Sequence, residues 1–237
     1  MKNIQTSRVI SFDGIDGSGK TTLINNVKEH LEAKGHKVKV VAEPRGTEFG
    51  KDIYDVVLCN CPNPLSAIYA MFAARSEVFI TQVQPFLTQD EGFVLLDRHV
   101  FSTLAYQAGC SGGLQHVVGV LYSAFRWAME SSNEAQSPSD IPLLPELAVI
   151  CHVSPEVAVK RITHRLIEQG GVLEPWEKVN AEVLHGILEG YGETFTRISK
   201  QRGFANQQFE ILDIDADLDQ ESMTTAVMER IRNTFEI

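Results

Sequence analysis

Hydrophobic residues occur along this chain in two patterns, short continuous runs and helical spacing. These patterns predict its strands and helices. Short apolar or β-branched runs bounded by charged residues, Gly or Pro are typical of buried strands. Five such runs occur, at Arg8–Asp13, Lys37–Ala42, Phe93–Asp97, Leu147–Val153 and Phe209–Ile214. We expect each of them to form a strand.

Between these runs, apolar residues recur at helical spacing. Leu23, Ile24, Val27 and Leu31 mark one face of a helix over Thr21–Lys34, with Gly35 at its end. Further helices are predicted at Pro64–Phe86, Gly113–Met129, Pro155–Gln169, Pro175–Ser199 and Gln220–Phe235.

The alternation of strands and helices predicts an α/β fold. Right-handed crossovers would place the five strands in one parallel sheet, with helices on both faces. The polar stretch Ser131–Asp140 is predicted to be a surface loop rather than a domain linker, because the strand pattern resumes directly after it. We therefore expect a single domain over residues 1–237, with ligands at the carboxyl ends of the strands.

Composition and charge narrow the classes of function. The 237 residues are 43% apolar and 22% charged, which fits a globular chain. The net charge of −10 disfavours nucleic acid and anionic membranes as partners. No run approaches the roughly 18 apolar residues of a membrane span, and no signal peptide is evident, so we expect a cytoplasmic protein. The four cysteines lack zinc-site spacing and are expected to be free thiols.

The strongest chemical signal follows the first predicted strand. The segment GIDGSGKT, Gly14–Thr21, matches the G-x-x-x-x-G-K-[ST] pattern of a phosphate-binding loop and precedes a predicted helix. Glycines let its amide N–H groups approach phosphate oxygens at a positive helix N-terminus. Lys20 would contact the β- and γ-phosphates, and the Thr21 hydroxyl would ligate Mg²⁺. The pattern indicates a nucleoside triphosphate and leaves its reaction partner open.

Arginines follow two other predicted strands. Arg45 lies in EPRGT after the second strand, and Arg98 follows Asp97 in DRH after the third. A guanidinium binds phosphate bidentately, and a strand-end aspartate near such a loop commonly organises Mg²⁺. Each arginine alone is more often a surface ion-pair residue. Two of them at one sheet edge favour a second phosphate site.

Two predicted helices carry further candidates. Phe72 and Arg75 share a face, from which a ring could stack on a base and an arginine could bind its edge. Core packing explains Phe72 equally well, because that helix is apolar nearly all round. Arg161 and Arg165 form an i, i+4 pair before Gly170-Gly171, where a glycine-hinged lid could bring positive charge over phosphates.

Together these motifs resemble those of the thymidylate kinases, nucleoside monophosphate kinases with the P-loop kinase fold. The segments that carry the resemblance span nearly the whole chain: Phe12–Thr22, Glu43–Thr47, Met71–Arg75, Asp97–Gln107, Leu144–Glu156 and Gly190-Tyr191. The resemblance implies a three-layer fold with a small lid. It also implies phosphorylation of dTMP to dTDP with ATP and Mg²⁺, by a homodimer.

The same resemblance implies roles for individual residues. The implied ATP contacts are Gly14, Asp16, Gly17, Ser18, Gly19, Lys20, Thr21, Thr22 and Arg161. The implied dTMP contacts are Asp16 at the 3′-hydroxyl, Arg45 and Arg98 at the phosphate, Phe72 on thymine, Arg75 and Ser102 at its polar edge, Tyr106 against the sugar and Gln107 beside the base. Thr21 and Asp97 would hold Mg²⁺. The catalytic set would be Lys20, Asp97, Arg98 and Arg165.

Some features depart from the family pattern. Certain members carry an arginine at the position of Gly17, whereas others place the catalytic cation in the lid, so this chain should be of the lid type. Its lid, approximately residues 161–178, has Glu174-Pro175 where the family has Asp-Arg, leaving Arg161 and Arg165 as the expected cations with Lys178 behind them. His99 replaces a tyrosine, and residues 109–140 match no family motif.

Other interpretations stay open on the sequence alone. The acceptor could be a broader set of deoxynucleoside monophosphates, or an unphosphorylated deoxynucleoside. The thin lid also suggests a nucleotide-binding module without catalysis, although the lysine, threonine and aspartate that the chemistry needs are present. The helices around Pro64–Phe86 and Gly113–Trp127 are candidates for a dimer interface, and burial in the core explains their apolar character equally well.

Overall fold

A computed structural model describes residues 8–60, 63–89, 92–108, 117–121, 123–125, 144–169, 187 and 209–237. Its strands are β1 (Arg8–Gly14), β2 (Lys37–Ala42), β3 (Gly92–Asp97), β4 (Leu147–His152) and β5 (Glu210–Asp215). They form one parallel sheet in the order β2-β3-β1-β4-β5. The predicted α/β class is confirmed, and each predicted strand lies within one residue of an observed one.

The helices flank this sheet. They are α1 (Lys20–Ala33), α2 (Glu48–Asn60), α3 (Pro64–Val78), α4 (Gln84–Gln89), α5 (Val100–Thr103), α6 (Pro155–Gln169) and α7 (Gln220–Phe235). π-Helical turns follow α3 at Phe79–Val83 and α5 at Leu104–Ala108. Residues 117–121 and 123–125 are also helical. The helix predictions for α1, α6 and α7 are confirmed.

The predicted helical stretch over Pro64–Phe86 is confirmed, although its second half departs from regular α-helical geometry. The α-helix ends at Val78, and a π-helical turn leads into α4. Pro85 in α4 has no backbone N–H, and its ring would clash with the carbonyl four residues earlier in a regular helix. The wider π turn just before Pro85 relieves that clash.

Helix α2 is missing from the sequence prediction. Gly50, the third residue of α2, has low helix propensity. The structure gives a reason for this glycine, because a Cβ there would lie 2.0 Å from the Pro44 carbonyl oxygen. Gly50 thus allows α2 to pack directly against the loop that follows β2.

Other predictions lie wholly or partly outside the described residues. They are the remainder of Gly113–Met129, the helix over Pro175–Ser199, the loop Ser131–Asp140 and the lid beyond Gln169. Of the four cysteines, Cys59 is exposed and Cys151 is buried, and both are free thiols as expected. None of the helices in the described part of the chain is long and apolar enough to cross a membrane.

The buried centre of the sheet positions the site. Strands β1, β3 and β4 contribute fully buried residues such as Phe12, Leu95 and Val149, with α1 packed against them through Leu23 and Val27. A parallel sheet covered on both faces requires such apolar strands. The register pairs Asp97 with both Phe12 and Ala42, and Gly14 with Cys151. The carboxyl ends of the strands therefore meet at one edge.

Candidate functional site

The loop between β1 and α1 is built on glycines. Gly17 and Gly19 have φ of 81° and 82°, in the left-handed region that side chains disfavour. At Gly17 a Cβ would also lie 2.6 Å from the carbonyl oxygen of Ala158 in α6. Backbone conformation and close packing together thus exclude a side chain at Gly17, including the arginine of some family members.

Replacing Gly17 by Ala should destabilise the protein by about 1 to 3 kcal/mol, since it adds a clash to an unfavourable φ. Gly35 is a matched control, because its φ is 87° and a Cβ added there would meet no atom of the described residues within 4 Å. Urea unfolding should show a larger loss for Gly17→Ala than for Gly35→Ala, and ATP binding should weaken only in the former. Equal losses of stability would show that the Ala158 contact is unimportant.

Lys20 is folded back onto the loop. Its Nζ donates hydrogen bonds to the carbonyl oxygens of Gly14 at 3.1 Å and Ile15 at 2.8 Å, and to Ser18 Oγ at 3.2 Å. Burial lowers the pKa of Lys20 to about 8, and the nearby positive charge of Arg98 adds to the effect. Because these three acceptors are uncharged, an anionic phosphate would stabilise the buried ammonium strongly.

A hydroxyl and a carboxylate meet beside Lys20. Thr21 Oγ1 donates a hydrogen bond of 3.4 Å to Oδ2 of Asp97, which ends β3. Both residues line the same cleft. Mg²⁺ prefers oxygen ligands and commonly takes one or two from the protein, with water and phosphate completing the set. The pair therefore fits the predicted Mg²⁺ ligands.

Arg98 lines the cleft beside the phosphate loop. Its φ is 72°, uncommon for a residue with a side chain. The guanidinium donates to Asp16 Oδ1 at 2.5 Å and to the Gly14 carbonyl at 2.9 Å, and lies 5.1 Å from the Tyr106 ring centroid. Burial raises the pKa of Asp16, but the charges of Arg98 and Lys20 outweigh it, so the net pKa is lowered. The structure brings these predicted site residues together.

The loop after β2 and helix α2 supply the other wall. The Arg45 guanidinium lies 5.0 Å from the Tyr54 ring centroid, within cation–π range. Tyr54 and Lys51, one helical turn apart on α2, line the cleft with Arg45. Neither Tyr54 nor Lys51 was predicted from the sequence. Their i, i+3 spacing became informative only once α2 was recognised.

Helix α6 brings two arginines to the cleft. Arg161 donates from Nη1 to the carbonyl oxygens of Ala216 at 2.8 Å and Gly17 at 3.5 Å. Arg165, one turn later, lines the cleft as well. The described part of the predicted lid therefore places both of its arginines beside the phosphate loop.

Arg75 is buried behind Glu43, which lines the cleft. It is 8% exposed, donates from Nη1 to Glu43 Oε2 at 2.7 Å and from Nε to Thr103 Oγ1 at 3.1 Å, and does not line the cleft. Burial raises the pKa of Glu43 to about 7, against the opposing charge of Arg75. Phe72 is half-buried against the core, and neither it nor Gln107 lines the cleft.

The cleft itself has a volume of about 910 Å³. Pockets that hold small molecules commonly measure about 300 to 1,000 Å³. Its cationic side chains are Lys20, Arg45, Lys51, Arg98, Arg161 and Arg165, and its acidic ones are Asp16, Glu43, Asp97 and Asp219. Among the described residues that line the cleft, positive groups thus outnumber negative ones, although the whole chain has a net charge of −10.

A phosphate loop between β1 and α1, a strand-end aspartate and a cationic cleft at the carboxyl edge of a five-stranded parallel sheet define a P-loop kinase fold. The thymidylate kinase family model matches residues 12–124. A thymidylate kinase of Bifidobacterium longum is 30% identical over 161 residues, covering 65% of this chain and 71% of that protein. One of Bacillus licheniformis is 28% identical over 233 residues, covering 96% and 94%. The chain belongs to the thymidylate kinase family.

Proposed function

We propose that this protein transfers the γ-phosphoryl group of ATP to the 5′-phosphate of dTMP, giving dTDP and ADP in the presence of Mg²⁺. The main support for this proposal is that one cleft contains two groups of cations. Lys20, Arg161 and Arg165 surround the phosphate loop, while Arg45 and Arg98 follow the neighbouring strands. Two anionic nucleotides meeting at their phosphates fit this arrangement.

The donor end of the cleft fits a nucleoside triphosphate. The loop amides and Lys20 would hold the β- and γ-phosphates at the N-terminus of α1, where the helix dipole favours negative charge. Thr21 and Asp97 would hold Mg²⁺. That ion, when bound, neutralises charge that develops on the phosphate oxygens.

The acceptor end fits a monophosphate. Arg45 and Arg98 would bind it, and Asp16, fixed by its ion pair with Arg98, would face the sugar 3′-hydroxyl. An ionised phosphate is itself the nucleophile, so the reaction needs no covalent intermediate. Catalysis then consists of positioning and charge neutralisation.

The cation that reaches the transferred phosphoryl group is assigned to α6. Gly17 has no room for a side chain, and Arg161 is bonded to the Gly17 and Ala216 carbonyls. We therefore assign Arg161 to ATP binding. We assign Arg165 to stabilisation of the moving phosphoryl group, because it lines the same cleft one helical turn further along.

The thymine end rests on the family resemblance rather than on the cleft. The residues assigned there are Phe72, Arg75, Ser102, Tyr106 and Gln107. The support from the structure is proximity, since Tyr106 and Ser102 both contact Arg98. Contact between Arg75 and a base would require the guanidinium to share or leave its Glu43 partner.

The proposal extends to assembly and location. A homodimer is supported by large apolar side chains left exposed on α2 and α3, namely Phe49, Val56, Leu65 and Tyr69. A cytoplasmic location is part of the proposal, since it would give the protein access to ATP as the donor. The absence of nucleic acid among its partners is supported by the overall negative charge.

The acceptor is tested by measuring ADP release with a panel of dTMP, dUMP, dGMP and unphosphorylated thymidine at fixed ATP and Mg²⁺. The proposal predicts the highest kcat/KM with dTMP and background release with thymidine. Comparable rates with dGMP would make the protein a broader deoxynucleoside monophosphate kinase. Turnover with thymidine alone would show that Arg45 and Arg98 do not bind an acceptor phosphate. Binding of both nucleotides without ADP release would make it a binding module.

A further inference from the structure

Asp13 is a buried carboxylate with no role in the cleft itself. It precedes the phosphate loop in β1, is 0% exposed and does not line the cleft. Its Oδ1 accepts two hydrogen bonds, from the Ser102 hydroxyl at 2.6 Å and from the backbone N–H of His99 at 3.1 Å. Both donors belong to the segment that begins with Arg98, 85 or more residues away in sequence.

These two bonds connect Asp13 to the segment that directly follows Arg98. Because His99 directly follows Arg98, the hydrogen bond from its N–H to Asp13 fixes the backbone next to Arg98. The Ser102 oxygen that donates to Asp13 accepts a 3.3 Å hydrogen bond from Nη1 of Arg98. Asp13 is thereby connected to both the backbone and the guanidinium of Arg98.

The Arg98 backbone requires such support. A φ of 72° costs free energy in a residue with a side chain and persists only where the surroundings fix it. The Arg98 N–H donates to the Phe12 carbonyl at 2.9 Å, so the turn is also tied to β1 directly before Asp13. Contacts with the end of β1 therefore fix the position of the Arg98 backbone.

The same contacts change what Ser102 can do. A serine hydroxyl carries one proton, and here that proton goes to Asp13. While this bond is made, the oxygen can accept from Arg98 and from a base N–H but cannot donate to a base. The geometry thus makes Ser102 a link between Asp13 and Arg98.

We propose that Asp13 is a positioning residue that sets the Arg98 guanidinium toward the acceptor phosphate, acting through Ser102 and the His99 N–H. This inference rests on the proposed function, because it takes Arg98 as the group that binds the acceptor phosphate. Asp13 touches neither nucleotide. Its contribution is to orientation, where misplacement by about 1 Å can reduce catalysis by about 100-fold.

The test compares Asp13→Asn, Asp13→Ala and Ser102→Ala with the wild-type protein. The amide of Asp13→Asn keeps an acceptor but weakens both bonds by removing the charge, so kcat/KM for dTMP should fall by about 10-fold, and by about 100-fold in Asp13→Ala. The Kd for ATP, measured by calorimetry without acceptor, should change by about twofold at most. Ser11→Ala is the control, because Ser11 is also fully buried on the same face of β1.

A double-mutant cycle separates positioning from general stability. If Asp13 acts through Ser102, the double variant Asp13→Asn/Ser102→Ala should lose less than the two single losses multiplied together. Independent losses, or equal weakening of ATP and dTMP binding, would overturn the inference. Should Asp13→Ala fail to fold, the Asn variant and the cycle still decide.

The outcomes distinguish this inference from the proposed function. Wild-type turnover of dTMP with unchanged kcat/KM in the Asp13→Asn and Ser102→Ala variants would overturn the inference alone. A wild-type protein that binds no dTMP in calorimetry would contradict both.

Discussion

Replacing Lys20 by Ala is expected to lower kcat for dTMP phosphorylation by about 1,000-fold or more, because the buried ammonium would lie against the transferred phosphoryl group. The fold should survive. The folded state lowers the pKa of Lys20 from 10.5 to about 8, so charged Lys20 weakens folding at every pH below about 8. That penalty is relieved only as the pH rises from about 8 toward 10.5. Because the charged ammonium does not stabilise the fold, replacing Lys20 by Ala should leave the Tm near that of wild type.

The measurement pairs steady-state kinetics with thermal unfolding at neutral pH. Lys28→Ala is the matched control, because Lys28 lies on the same helix and forms an exposed pair with Glu32 at 3.1 Å. The control should keep wild-type kcat, since exposed pairs contribute little. Near-normal kcat in Lys20→Ala would remove Lys20 from the catalytic set.

Replacing Arg98 by Ala is expected to raise KM for dTMP and to lower kcat/KM by about 100-fold or more. The guanidinium is the cation nearest Asp16 and the loop carbonyl of Gly14. Its loss therefore removes the positive charge between the two phosphate sites. Arg98→Lys should restore little, because an ammonium cannot reproduce the bidentate geometry. Kinetics at saturating ATP, with dTMP varied, measures the effect.

Arg98→Gly separates the side chain from the backbone. Glycine adopts the φ of 72° without strain, so this variant should unfold at a higher Tm than Arg98→Ala. Its kcat/KM should nevertheless be as low as that of Arg98→Ala. Activity close to wild type in Arg98→Gly would show that the guanidinium is dispensable and that the turn alone matters.

The parts of the fold that could be predicted from sequence are those with strong local patterns. The central strands are continuous apolar runs because both faces of the sheet are covered, and this leaves a short, recognisable signal. Parallel strands then bring their carboxyl ends together, so Asp97 and Arg98 could be placed beside Lys20 from the sequence alone. That geometric rule accounts for most of the candidate site.

The rest depends on contacts between residues far apart in the chain. An arginine in an apolar helix fits a base-binding residue or a buried ion pair equally well, and only the fold shows that Glu43 lies 2.7 Å from Arg75. Lys51 lies in α2, a helix that was not predicted, and Gly50 before it is explained by close packing against Pro44. Asp13 gave no signal, since its partners follow β3.

The distribution of charge could be predicted from the sequence only in part. A net charge of −10 argues against polyanionic partners and is silent about a local pocket. The sequence motifs predicted convergent cations, and Lys20, Arg45, Arg98, Arg161 and Arg165 do line one cleft. Within the described residues, Lys51 lines that cleft and Arg75 does not.

Transfer of a phosphoryl group between two nucleotides can be followed through its products. Wild-type protein is incubated with ATP, Mg²⁺ and dTMP, and the nucleotides are separated by anion-exchange chromatography. We expect one dTDP for each ADP, with neither formed when dTMP is omitted. ADP that accumulates without dTDP, or dTMP formed from thymidine with no dTDP formed from dTMP, would contradict it.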